Sequence, residues 1–218
     1  PIPNRHGMTV GELAQLYKYK FGYNCDLTVV PMEGWLRSMY FDDTPVLWVP
    51  PSPNTTNIDM NVLYPGTCLI EGTNLSEGRG TTRPFEWIGA PYVDGQRLAK
   101  VFNEKKIEGV IARPISFKPT YQKHMNVICS GIQLHIVDRR ILNAWETGLL
   151  LIETIAEMYP KDFSFIENGQ KKYFFDLLAG SKSMRERIWN GTTKEYIENC
   201  LSLIEGFQKE KKIYDIYN

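Results

Sequence analysis

The spacing of hydrophobic and polar residues predicts a helix near the start of the chain and another in its second half. Thr9, with Glu12 three residues later, forms a capping box, and apolar residues then recur at helical intervals. A helix from Thr9 to about Tyr19 is therefore predicted. Between Ala144 and Tyr159 apolar residues follow a 4-3-4-3 spacing that stops before Pro160, which predicts a buried helix.

Three further helices are predicted from capping residues. Asp94 precedes an apolar helical pattern, and Ser183 with Glu186 and Thr192 with Glu195 form two more capping boxes. The first box opens a short helix to Asn190 and the second opens a C-terminal helix. The residues expected to be buried by that last helix are Ile197, Cys200, Ile204 and Phe207.

Three segments have the composition or the alternation of strands. Leu27 to Val30 is apolar and β-branched and ends at Pro31, and residues from Val110 to Phe117 and from Val127 to Val137 follow later. The last two are expected to pair. Few strands among several helices favour the α+β class over α/β, with a small sheet packed by helices.

Two long segments carry no regular pattern. Met32 to Asn57 is rich in proline, and its aromatic residues argue against disorder. Trp35 and Trp48 could stack on a sugar ring or form a small core beneath the loop. The second segment, from Tyr64 to Glu86, has no hydrophobic period after Ile70, and we expect it to lie beside the first and to form the working surface.

The Tyr64–Glu86 segment combines carboxylates, guanidiniums, hydroxyls, an amide and glycines, an inventory that suits a charged sugar. Paired carboxylates such as Glu71 and Glu77 are what glycosidic cleavage needs. The candidate ligand-binding residues of the segment are Asn74, Arg79, Thr81, Thr82 and Arg83. The alternative is that Glu71, Glu77, Glu86 and the two arginines form an ion-pair network that only pins the loop.

Charge and cysteine usage narrow the classes of function. With 25 basic and 25 acidic residues the net charge is zero, so no global field draws the chain to nucleic acid or to an anionic membrane. The longest apolar run is far shorter than the roughly 20 residues of a membrane span. Four scattered cysteines form no Cys-x-x-Cys pair, so neither a zinc site nor a redox motif is expected. No cofactor is predicted.

His6 lies in a string, Arg-His-Gly-Met-Thr, that is similar to the signature of histidine phosphatases. The residues before it do not form a buried strand, and no second catalytic histidine is evident. His6 is therefore predicted either to bind a ligand or to support the start of the first helix.

Five long strings stand out in the sequence: Pro-Ile-Pro-x-Arg-His-Gly-Met-Thr at the start, Leu-Thr-Val-Val-Pro-Met with Trp-x-Arg-Ser-Met, Trp-Val-Pro-Pro-Ser-Pro-Asn, Tyr-Pro-Gly-Thr-Cys-Leu-Ile-Glu-Gly-Thr-Asn-Leu-Ser-Glu-Gly-Arg-Gly-Thr-Thr, and Gly-Ile-Gln-Leu-His-Ile-Val-Asp-Arg-Arg. Together they resemble the NamZ-type exo-β-N-acetylmuramidases, a family long filed as a bacterial domain of unknown function. The resemblance covers nearly the whole chain and is densest from Leu27 to Glu86.

The resemblance implies a glycoside hydrolase that releases N-acetylmuramic acid from the non-reducing end of peptidoglycan fragments. Family members are about twice as long, with an N-terminal Rossmann-like domain before the matching region. The chain is thus expected to be the C-terminal region, with residues 1–90 carrying the site loops and 91–218 the scaffold. A catalytic glutamate in the other half would leave this chain inactive alone. The expected location is periplasmic or secreted, with the cytoplasm left open.

The resemblance also suggests roles for the candidate residues. N-acetylmuramic acid carries a lactyl carboxylate, which Arg79 and Arg83 would read. Glu71, which follows Leu69 and Ile70, would be the proton donor, and Glu77 would orient an arginine. The expected partners are muropeptides or disaccharides and the N-terminal domain. The alternative is a non-catalytic domain that binds peptidoglycan or carbohydrate.

Overall fold

The computed structural model describes residues 2–169 and 172–217, and the chain divides into two compact units. One unit joins Pro1–Trp48 to Glu198–Asn218, and the other is Val49–Ile197. The helices and strands are α1 Val10–Phe21, α2 Ile58–Thr67, β1 Trp87–Ala90, α3 Gly95–Glu104, β2 Val110–Phe117, β3 Cys129–Ile136, α4 Ala144–Met158, α5 Phe174–Ala179, α6 Lys182–Trp189 and α7 Thr193–Lys211. Single 3₁₀ turns cover Phe41–Asp43, Cys68–Gly72 and Lys212–Tyr214. The α+β class is confirmed.

The first unit is built around α1. Its predicted capping box is present, since the Thr9 hydroxyl accepts from the Glu12 backbone N–H and the Glu12 carboxylate accepts from the Thr9 N–H. Leu16 of α1 packs with Met8 and with Phe207 of α7 in a small apolar core.

Glu12 is fully buried in that unit and is held by several donors. Both guanidinium ends of Arg37 donate to its carboxylate, with Nη2 at 2.6 Å from Oε1, and the Ile216 N–H donates at 2.8 Å. Arg37 also lies 3.3 Å from Asp215. Residues from the beginning and the end of the chain are thus joined through one carboxylate.

The second unit contains a three-stranded antiparallel sheet in the order β1-β3-β2. The predicted pairing of the two later strands is confirmed, with Val110 opposite Ile136 and Phe117 opposite Cys129. Ile132 and Leu134 of β3 belong to the main core, so the alternation seen in the sequence places that face inward.

The helix α4 is the centre of the second unit, because most of its residues from Ala144 to Ala156 are buried. It packs on α2 where Gly66 and Gly148 face each other, and a Cβ on either glycine would overlap the backbone of the other helix. Two glycines are therefore needed for the helices to approach this closely.

Three sequence-based expectations are wrong. Leu27–Val30 is not a strand, and the described residues of its own unit form no strand that could pair with it. The Tyr64–Glu86 segment is not irregular throughout, since α2 continues past Pro65 to Thr67 and a 3₁₀ turn follows. The capping box at Ser183 does not form; Ser181 is the N-cap of α6 and accepts from the Ser183 N–H.

Candidate active site

The site loop, which we define as residues 73–86, leaves the 3₁₀ turn after α2 and returns to β1. The Ser76 N–H donates to the Gly89 carbonyl at 2.8 Å, which ties the loop to the sheet. Gly78 and Gly80 have positive φ values of 79° and 78°. A Cβ on Gly78 would lie 2.6 Å from the Trp87 carbonyl oxygen, so glycine is required for this turn.

Four charged residues form one network at the start of this loop. Arg79 Nε lies 3.1 Å from Glu71 Oε1 and 3.2 Å from Glu77 Oε1, and Arg79 Nη2 also donates to Glu71. Lys123 Nζ lies 2.8 Å from the second carboxylate oxygen of Glu77. Two carboxylates and two cations thus alternate in a chain of ion pairs with no net charge.

The members of this network differ in exposure. The side chain of Glu77 is 3% exposed, whereas those of Glu71 and Arg79 are 19% and 23% exposed. Glu71 and Arg79 are therefore accessible to a ligand, while the buried Glu77 contacts Arg79 from the protein interior.

Aromatic residues surround the exposed pair. The Arg79 guanidinium lies 5.0 Å from the centre of the Phe85 ring, which meets Tyr64 edge to face at 4.9 Å. Tyr64 is 37% exposed. Tyr121, also partly exposed, donates its hydroxyl to Asn54 Oδ1 at 2.6 Å. These rings offer apolar faces beside a charged pair, a combination that suits a sugar carrying one charge.

Burial and the nearby carboxylates shift the pKa values of three groups at the site. Burial acts to lower the pKa of Arg79, but the Glu71 hydrogen bond and the charges of Glu71 and Glu77 outweigh it and raise that pKa. Burial, together with the Glu71 charge, raises the pKa of Tyr64 and raises the pKa of the Cys68 thiol to about 11. Cys68 is therefore a protonated, unreactive thiol at neutral pH.

Arg83 belongs to a second, separate group. Its Nη1 lies 3.4 Å from Glu86 Oε2, and the Asn57 amide donates to Glu86 Oε1 at 2.7 Å. Glu86 is buried, but the side chain of Arg83 is 45% exposed. The end of the Pro-rich segment thus lies beside the site loop through Asn57, and beside the β2–β3 connection through Asn54.

The remaining candidates of the loop mostly shape it. The Thr81 hydroxyl donates to the Gly78 carbonyl at 2.6 Å and accepts from the Arg83 N–H, while Thr82 is exposed. The Asn74 amide donates to the Asp162 carbonyl at 2.7 Å, and its oxygen accepts from Tyr92. Thr81 and Asn74 therefore have structural partners here.

Three candidates lie in the first unit. The His6 ring accepts from the Met8 N–H through Nδ1 at 3.1 Å, beside the start of α1. Trp35 meets Tyr217 edge to face with 4.9 Å between ring centres, and Trp48 meets Phe41 at 5.0 Å. Each is thus engaged by a neighbour within its own unit.

Sequence reasoning missed Lys123 and the two tyrosines. Lys123 and Tyr121 lie in the connection between two predicted strands, where nothing in the local pattern indicates a charge network. Tyr64 opened the predicted segment but carried no assigned role.

Within residues 2–169 and 172–217, no group of three or more His, Cys, Asp or Glu side chains is arranged to hold a metal ion. In the same residues, no helix is both long enough and apolar enough to cross a bilayer.

Comparisons with known proteins relate this architecture to one family. Residues 62–217 match the model of the C-terminal part of exo-beta-N-acetylmuramidase NamZ, and residues 1–59 match the model of its N-terminal part. A protein of Bacillus subtilis (strain 168), described as peptidoglycan beta-N-acetylmuramidase NamZ, is 47% identical over all 218 residues. Those residues span 52% of that relative, so the chain has about half its length.

Two crystal structures from Bacteroides fragilis NCTC 9343, both described as DUF1343 family proteins, share the fold. The first has a TM-score of 0.88 at 29% sequence identity, and the match covers 100% of this chain and 58% of the Bacteroides chain. The second has a TM-score of 0.72 at 28% sequence identity, and the match covers 98% of this chain and 56% of the Bacteroides chain. Because the family model alone covers residues 62–217, the chain belongs to the NamZ exo-β-N-acetylmuramidase family.

Proposed function

We propose that the intact protein is a glycoside hydrolase that releases N-acetylmuramic acid from the non-reducing end of peptidoglycan fragments. The observation that carries the proposal is the 47% identity, over every residue of this chain, to a protein described as a peptidoglycan beta-N-acetylmuramidase. A substrate derived from the cell wall favours a location outside the cytoplasmic membrane.

Glu71 is the proposed catalytic acid or base of this chain. Its carboxylate is partly exposed and fixed by Arg79, as a positioned acid or base must be. Glu77 is buried between Arg79 and Lys123 and cannot reach a sugar, so its role is to orient Arg79. Glycosidic cleavage uses two carboxyl groups, and the second would come from a part of the intact protein outside this chain.

Arg83 is proposed to bind the lactyl carboxylate of N-acetylmuramic acid. Its side chain is about half exposed, and its Nη1 lies 3.4 Å from the buried Glu86, whose carboxylate also accepts from the Asn57 amide. A guanidinium fork fixed in this way matches a carboxylate in geometry as well as charge. Tyr64 and Tyr121 would supply the apolar faces against which sugar rings pack.

The test is turnover of a chromogenic β-glycoside of N-acetylmuramic acid, with the corresponding N-acetylglucosamine glycoside as the control substrate. The intact protein is expected to release the chromophore from the first and not from the second. Equal turnover of both, or none of either, would overturn the proposed specificity or activity.

The same assay with the 218-residue chain distinguishes the alternative function. A chain that binds N-acetylmuramic acid without turnover is expected if the second carboxyl lies elsewhere in the intact protein. Binding without turnover by the intact protein as well would instead identify a non-catalytic peptidoglycan-binding module.

A further inference from the structure

We infer that Lys123 is a positioning residue, which holds Glu71 and Arg79 in the arrangement that the proposed reaction needs. The inference rests on the proposed function and adds to it a residue from a different part of the chain. Lys123 lies in the connection between β2 and β3, 52 residues along the chain from Glu71.

Lys123 fixes the backbone on both sides of Glu71. Its ammonium donates to the Ile70 carbonyl at 3.0 Å and to the Thr73 carbonyl at 2.9 Å, and the Glu71 carbonyl lies at 3.4 Å. The Ile70 carbonyl also accepts from the Thr73 N–H and hydroxyl, so the ammonium adds to the bonds that close the end of the 3₁₀ turn. Lys123 thus helps to fix the backbone that carries the Glu71 side chain.

Lys123 also sets the charge beneath the exposed pair. Glu77 contacts Lys123 through one carboxylate oxygen and Arg79 through the other. Without the ammonium, Arg79 would be the only cation in the network for two carboxylates, and Glu77 would draw it away from Glu71. Burial lowers the pKa of Lys123, and the charges of Glu77 and Glu71 act in the opposite direction.

The connection that carries Lys123 has an unusual backbone. Gln122, His124 and Asn126 all have positive φ values, at 66°, 58° and 62°, although none is glycine. A positive φ is uncommon outside glycine, although His and Asn adopt it more readily than Gln, and such conformations cluster at functional sites. Here the His124 ring contacts the Asn74 carbonyl at 2.7 Å, so both Lys123 and its neighbour are fastened to the site loop.

The first test compares Lys123→Met with Lys123→Arg in the intact protein. Lys123→Met is expected to lower kcat on the order of 10²-fold with little change in KM, because the reacting groups are misplaced while substrate contacts remain. Lys123→Arg, which keeps the cation, is expected to recover most of kcat. The matched control is Lys118→Met, an exposed lysine of the same connection, which should leave both constants unchanged.

The second test does not require turnover. In the 218-residue chain, the NMR signal of the Arg79 Nε–H reports its hydrogen bond to Glu71. The signal should shift or exchange faster in Lys123→Met and stay in place in Lys123→Arg and Lys118→Met. A wild-type protein without turnover would overturn the proposed function, and this signal would still decide the role of Lys123.

Unchanged kcat together with an unchanged Arg79 signal in Lys123→Met would overturn the inference. If Lys123→Met does not fold, Lys123→Gln replaces it, since a shorter amide can still donate to carbonyls without the charge. Full kcat in a folded Lys123→Gln protein would equally contradict a positioning role for the cation.

Discussion

Arg79 donates hydrogen bonds from both Nε and Nη2 to a single oxygen of Glu71. The other oxygen of that carboxylate is not committed to this guanidinium, and the side chain remains partly exposed. Replacing Glu71 by glutamine would thus remove its charge and still leave one oxygen to accept both hydrogen bonds from Arg79.

Glu71→Gln in the intact protein is expected to reduce turnover on the order of 10² to 10⁴, because the amide keeps the shape but cannot transfer a proton. Product affinity and the midpoint of thermal unfolding should change little. All three quantities are measured on the same preparation, with the exposed Glu108→Gln as control. Turnover that is unchanged, or that falls only in step with unfolding, would move the catalytic role away from Glu71.

Arg83→Lys is expected to weaken binding of N-acetylmuramic acid far more than binding of N-acetylglucosamine. An ammonium cannot reproduce a guanidinium fork, and a lost hydrogen bond to a charged group costs about 1.5 kcal/mol or more, roughly tenfold in affinity. Calorimetric titration with both sugars measures the difference. Arg113→Lys on β2 provides an exposed control. Equal losses of affinity for the two sugars would show that Arg83 does not bind the lactyl carboxylate.

Gly148→Ala should destabilise the second unit by about 3 kcal/mol, the upper end of the usual cost of overpacking, because the new methyl group would overlap the Gly66 backbone. Urea unfolding measures the loss. Gly206→Ala in α7 is the control, since a Cβ there meets nothing within 4 Å. That change should instead stabilise the helix by about 0.5 to 1 kcal/mol. Equal effects of the two substitutions would contradict the close approach of α2 and α4.

The stability of the first unit is expected to fall in acid through Glu12. Burial acts to raise its pKa, but hydrogen bonds from Arg37 and from the Thr9 and Ile216 N–H groups outweigh burial and lower the pKa to about 2. A lowered folded-state pKa stabilises the fold above the unfolded value of 4.5, and this contribution is lost as the pH falls from there to about 2. Its full size is about 3 kcal/mol.

Urea unfolding at a series of pH values between 2 and 7 tests this dependence. Glu12→Gln should remove most of it, whereas Glu210→Gln should not, because Glu210 pairs with Lys20 on the surface, where an ion pair contributes about 1 kcal/mol or less. The same acid dependence in wild type and Glu12→Gln would show that other carboxylates cause it.

The sequence by itself determined the elements that local interactions define. The capping box of Thr9 with Glu12 involves residues three apart, and the apolar spacing of α4 needs no partner to be seen. The alternation of β3 likewise identified both a strand and its buried face. The family resemblance also followed from the sequence, whereas the division of the chain near residue 90 stays a prediction.

In other parts of the chain, only the tertiary structure decided whether a segment forms a helix or a strand. Leu27–Val30 has the composition of a strand, but strand formation depends on hydrogen bonds to a neighbour, and the described residues of its own unit form no second strand. The helix α2 contains Pro65, which cannot donate the backbone hydrogen bond to residue i−4, and the helix ends two residues later.

The tertiary structure likewise decided the site. The sequence placed Glu71, Glu77 and Arg79 on one loop but left open whether they face a ligand or each other. The fold pairs all three and brings Lys123 to them across 52 residues of chain, leaving only Glu71 and Arg79 of the three partly exposed. Contacts between distant segments depend on how the sheet, the turn and the β2–β3 connection pack, and no local pattern of residues records that packing.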